Sequence, residues 1–321
     1  MTNLLVMKEY LKQFYAKYEV YLHPLTKFLL SLISLGMINS KLGYMGTINH
    51  VSIVLIVALM CSFLPRTCII LFDALFILLH LYAMALECAV VALALFLVLF
   101  LLYFRFSPKS IIAVVITPIC FGLKIPYLVP VAYGLASTPA SAVAVGCGVV
   151  AYYLISYMSG NAAAVSGMAA DEMVTRFRFV IDGLIGNKAM LLTIVAFSIT
   201  IMVVYIVRRL PIVQSWRIAI LAGVLTDIMV MLIGDLMLDT NLSISILGLL
   251  GGSIVAALVG EVLRFLLFNV DYYRMERVQF EDDEYYYYVK AVPKITIAKP
   301  SKNVKKINSQ RRPQHQSSQN K

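Results

Sequence analysis

The chain has 321 residues, 61% of them hydrophobic and 14% charged, with a formal net charge of +10. Together with a mean hydropathy of +0.85, this excludes a soluble globular domain, in which about a quarter of residues are charged. The positive charge gathers at the two ends and in a few short loops, a pattern that speaks for membrane orientation and anionic headgroups rather than nucleic acid.

Residues 1–24 are charged throughout and do not read as a cleavable signal. Leu4, Leu5, Tyr10, Leu11, Phe14, Tyr15 and Tyr18 alternate with Lys8, Lys12 and Lys17 at helical spacing, which predicts an amphipathic cytoplasmic helix on the membrane face. Residues 25–268 read as an all-α polytopic membrane domain. Apolar runs predict about eight spans: Leu25–Gly36, Val51–Leu64, Thr67–Leu86, Cys88–Phe104, Ala140–Met158, Ala189–Val207, Ile218–Leu238 and Ile244–Phe268. The longest polar interval, 159–188, contains a predicted amphipathic helix over Met168–Leu184.

Between the fourth and fifth of these spans, Ser107–Ser141 is interrupted by Pro118, Pro126, Pro130 and Pro139, with Gly122 and Lys124 at its midpoint. Each proline removes a backbone donor, and hydrocarbon tolerates such breaks only where protein or a water-filled cavity satisfies the freed carbonyls. Two short halves follow, Ile111–Phe121 and Ile125–Leu135, either as a re-entrant hairpin with FGLKIP at its tip or as one kinked span. The positive-inside rule favours the hairpin, which puts Arg66, Arg105, Lys109, Arg208, Arg209, Arg217 and both termini on the cytoplasmic side.

Ionisable residues at membrane depth face protein or a water-filled path. Arg66, Asp73, His80 and Glu87 recur every seven residues, so they follow one slowly drifting stripe. Two readings stand for it: a proton or cation path through Asp73 and His80, or hydrogen bonds from these two to neighbouring helices. Asp227 and Asp235 share a broad face of a later span, and Lys124 is the natural partner of Asp73 or Asp227. Gly248, Gly252, Ala256 and Gly260 recur every four residues, a stripe that admits close helix packing, within the chain or in a homo-oligomer. The cysteines, Cys61, Cys68, Cys88, Cys120 and Cys147, lie in or beside apolar segments without disulfide or metal-ligand spacing. No nucleophile, phosphate-binding or cofactor motif is visible, so no enzyme, cofactor or metal is expected.

Residues 269–297 turn acidic and tyrosine-rich, with β-favouring runs at Arg277–Phe280 and Tyr285–Val292 around the acidic EDDE. They predict a small hairpin, and Glu281, Asp282, Asp283, Glu284, Tyr285 and Tyr286 are candidates for docking a cytoplasmic protein partner. Residues 298–321 are basic, polar and free of acids, which predicts disorder and attraction to anionic lipid.

The string EDDEYYYYVKAVPK, with Arg277–Phe280 ahead of it, resembles the tail of uncharacterised multi-pass membrane proteins of anaerobic Gram-positive bacteria. The resemblance covers the last span and the tail; it implies a bacterial cytoplasmic membrane and carries no known activity. HPLTKFLLSL at His23–Leu32 is similar, over about ten residues, to the opening of the transmembrane coupling subunit of energy-coupling-factor vitamin transporters, whose paired Ala-Arg-Gly motifs this chain lacks. The functional expectation is a permease that moves a small solute or ion. The alternative is a membrane scaffold that recruits a partner through its tail.

Overall fold

The computed structural model describes residues 2–167, 173–212, 214–238, 246–267, 278–281 and 286–289. It divides into two units, one of Lys8–Asn269 and one of Met1–Met7 with Val270–Lys321.

The first unit is helical. Helix α1 (Thr2–Lys41), which belongs to this unit from Lys8 onward, runs through both the expected surface segment and the first span; its backbone departs from helical values at Tyr18, and Pro24 lies inside it. α2 (Val51–Phe63) has 13 residues, about 20 Å of rise, so it is shorter than a hydrocarbon core. α3 (Thr67–Met84) and α4 (Leu86–Phe106) meet at a joint where Ala85 alone is extended. α5 (Ile111–Gly122) and α6 (Leu128–Ala136) are separate helices that match the two proline-bounded halves. α7 (Ser141–Gly160), a short α8 (Ala162–Gly167) and α9 (Met173–Ile185) follow; residues 168–172, the start of the expected amphipathic helix, lie outside the described residues. Gly186 and Asn187 separate α9 from α10 (Lys188–Arg208), whose first turn is capped by Asn187 Oδ1 accepting from Met190 N–H. α11 (Ser215–Leu238) and α12 (Ile246–Leu267) complete the bundle. Among the described residues, seven helical stretches are long and apolar enough to cross a membrane, while α2 and α5 are apolar but shorter. The architecture is that of an all-α multi-pass membrane protein.

Contacts sort the helix ends into two groups. In one, Lys27 donates to Leu64 O, Ser62 to Pro24 O, and Arg66 pairs with His23, which joins the start of the apolar part of α1 to the junction of α2 and α3. The same group contains Arg208 on the last carbonyls of α6 and the cluster of Arg217, Glu261 and Arg264 joining α11 to α12. In the other, Ser159 at the end of α7 donates to Lys41 O at the end of α1, Arg176 of α9 pairs with Glu87 at the start of α4, and Lys188 donates to Leu238 O at the end of α11.

The buried side chains of this unit form three clusters, linked through partly buried residues they share, such as Leu99, Phe100 and Tyr127. α5 packs on α7 and α3, whereas α6 packs on α12, α10 and α11, so the α5–α6 pair bridges the two sides of the bundle. In the second unit, β1 (Val278–Glu281) and β2 (Tyr286–Val289) pair antiparallel with Glu281 opposite Tyr286. Asp282, Asp283, Glu284 and Tyr285 lie outside the described residues, as do residues 290–321.

Candidate functional site

Pro118 has no N–H, so the carbonyl of Val114 loses its helical donor. Gly148 of α7 lies against that carbonyl: a Cβ added at Gly148 would stand 2.8 Å from Val114 O and 2.7 Å from Thr117 Cβ. The glycine lets the two backbones approach where the proline has opened one of them. Thr117 in turn donates to Ala113 O at 2.6 Å. Beside this contact α5, α7, α4, α3 and α1 enclose a cavity of about 60 Å³.

Asp73 of α3 is the single Asp, Glu, Lys or Arg among the residues lining that cavity. Its side chain is buried, 9% exposed, and Oδ2 accepts from Ser34 Oγ of α1 at 2.6 Å. Oδ1 has no hydrogen-bond partner among the described residues. The other polar side chains on the wall are committed to backbone: Tyr103 OH donates to Pro108 O at 2.8 Å, and Cys147 Sγ approaches Leu99 O at 3.8 Å. The remaining wall is aliphatic and aromatic, with Phe96 and Phe100 stacked at 6.5 Å between centroids.

Asp227 of α11 repeats the arrangement on the other side of α5–α6. It is 1% exposed, Oδ1 faces Thr200 Oγ1 of α10 at 3.5 Å, and Oδ2 is without a partner among the described residues. Each aspartate thus takes one hydroxyl from the neighbouring helix and leaves one oxygen over. Tyr127, in the turn between α5 and α6, lies within electrostatic range of Asp227, and its ring rests on Gly252 of α12.

His80 is fully buried and held on both ring nitrogens. Nδ1 accepts from Met45 N–H at 3.1 Å, and Nε2 lies 2.8 Å from Asn39 Oδ1, while Asn39 Nδ2 donates to Ile48 O. A backbone N–H can only donate, so Nδ1 is the acceptor and Nε2 carries the hydrogen. The ring is a neutral clamp between α1, α3 and the loop 42–50. The heptad stripe is divided accordingly: Arg66 and His23 lie at one end of the bundle, Glu87 and Arg176 at the other, with Asp73 and His80 between them.

Lys124 is exposed and makes no ion pair with Asp73 or Asp227. It occupies the left-handed region with φ 61. Lys124 N–H bonds Phe121 O and Ile125 N–H bonds Cys120 O, the paired pattern that closes a helix through a left-handed residue. Its backbone makes the turn from α5 into α6. Asp235 is half-buried near the far end of α11. Along the small-residue stripe, Gly252, Ala256 and Gly260 are buried and Gly248 is exposed. Gly252 meets Tyr127 and Gly260 meets Ile220, so these positions pack within the chain.

The roles of Ser34, Thr200 and the two caps supplied by Arg208 are not legible in the sequence. A hydroxyl facing a carboxylate across helices leaves no spacing signal, whereas an arginine at a helix end was readable as a charge but not as a cap. No family model, curated protein or solved structure matches the chain.

Proposed function

We propose that the chain is a permease whose solute or ion path passes Asp73, with α5–α6 as a re-entrant element beside it. The observation that carries this is the half-satisfied carboxylate on the cavity wall. A carboxylate in an apolar interior is compensated by a proton or a cation, and short apolar helices meeting at a turn are a recurrent setting for transporter sites. Support for the re-entrant form comes from the helix ends. Four residues lie between α4 and α5, and four between α6 and α7. The last carbonyls of α6 lie on Arg208, while the far end of α7 lies on α1. At 12 and 9 residues, the two helices rise only about 18 and 14 Å.

Reconstitution tests this reading. Asp73→Asn in proteoliposomes, with a panel of proton, monovalent-cation and amine probes, should abolish the flux the native chain supports while leaving insertion intact. Unchanged flux in Asp73→Asn refutes it. A scaffold role has one observation in its favour, the paired strands β1 and β2: two strands alone are marginally stable in water, and a partner's strand would extend the sheet. Deleting residues 278–294 then removes a partner and spares flux in a transporter.

A further inference from the structure

We infer that the Asp73 cavity is a binding site for a small organic ammonium ion, an assignment that rests on the transport reading of the same site and specifies its ligand. The wall carries one carboxylate and no lysine or arginine, so a bound positive charge meets attraction and no compensating cation. Tyr103 and Cys147 are already engaged with backbone carbonyls and Ser34 with Oδ2, which leaves Asp73 Oδ1 as the side-chain oxygen without a hydrogen-bond partner among the described residues of the wall. Phe96, Phe100 and Tyr103 bring three aromatic rings to the wall, and aromatic faces attract ammonium groups.

The oxygen count separates this ligand from a divalent metal ion. Divalent cations take about six or more oxygen ligands, and the side chains of the wall offer one carboxylate and two hydroxyls, those of Ser34 and Tyr103. An ammonium ion with an apolar body needs one opposite charge and apolar or aromatic contact, which is what the wall supplies. The volume of about 60 Å³ corresponds to roughly four to six water-sized groups, the scale of tetramethylammonium rather than of a drug-sized molecule.

The probe is therefore radiolabelled tetramethylammonium, measured by equilibrium dialysis against the purified full chain in detergent. Saturable binding is expected, displaced by unlabelled tetramethylammonium but not by sodium or tert-butanol at equal concentration. Asp73→Asn should weaken binding at least tenfold. Phe100→Leu keeps an apolar side chain and removes the ring, and should weaken it about three- to tenfold; this second variant keeps the test valid if Asp73→Asn does not fold. Unchanged affinity in both variants, or equal displacement by sodium or tert-butanol, overturns the inference. Asp73-dependent flux of protons without tetramethylammonium binding overturns the ammonium site and leaves the permease standing. Asp73-dependent binding without flux of any probe does the reverse.

Discussion

At the scale of single residues, three buried polar groups with similar sequence signals have different local geometry. Asp73 and Asp227 each keep an oxygen without a partner among the described residues, whereas both nitrogens of His80 are used. The chemistry follows from that difference. Charging the His80 ring would put a hydrogen on Nδ1 directly against the Met45 N–H, so the clamp holds the neutral form. We expect His80→Ala to destabilise the protein by about 3 kcal/mol, since it leaves the buried Asn39 oxygen and the Met45 N–H without partners. His80→Gln should recover part of the loss because its amide offers one donor and one acceptor. Thermal unfolding in detergent measures both. Flux in His80→Gln should keep the native pH profile, and a profile that flattens would show the imidazole to be a proton carrier instead.

At the scale of elements, α6 is a nine-residue helix whose terminal carbonyls need partners in a membrane. Arg208 supplies them. Its guanidinium donates to Leu135 O and, at 2.8 Å, to Ser137 O, while it lies 5.1 Å from the centroid of Tyr205 and 5.8 Å from that of Trp216. A cation at a helix C-terminus also complements the dipole. Lysine has a point charge and cannot present the same fork. Arg208→Ala should therefore cost about 1.5–3 kcal/mol, with Arg208→Lys between it and the native chain, read as the midpoint of unfolding in a sodium dodecyl sulfate titration. Equal midpoints for Lys and Arg would show that charge alone holds α6. The prolines explain why this element was legible beforehand: Pro118 and Pro126 mark where α5 weakens and where the turn must come. They did not reveal that Lys124 would supply the left-handed residue of the turn, a place where glycine is the usual choice.

At the scale of the whole molecule, hydropathy made the long helices legible because each must satisfy its own backbone in lipid. Partner choice was not legible, since small residues such as Gly148 and Gly252 show that a close approach occurs but not which helix arrives. Charge is the signal that joins the two levels. Lys27, Arg66, Arg208, Arg217 and Arg264 belong to the end where α6 terminates, and Lys41, Arg176 and Lys188 to the other, where Glu87 offsets part of the charge. The positive-inside rule predicts that the first end faces the cytoplasm, and a re-entrant α5–α6 would add Arg105 and Lys109 to it. Single cysteines at positions 109 and 137, placed in a chain freed of its five native cysteines, should then react with an impermeant maleimide from the cytoplasmic side alone. A cysteine at position 41 should react from the opposite side. Labelling of 109 and 137 from opposite sides would turn α5–α6 into one kinked crossing, invert everything upstream of it and carry the basic cluster around Arg66 to the outer face, against the charge rule. The two arrangements differ in the sidedness of about a third of the chain, so three positions suffice to decide between them.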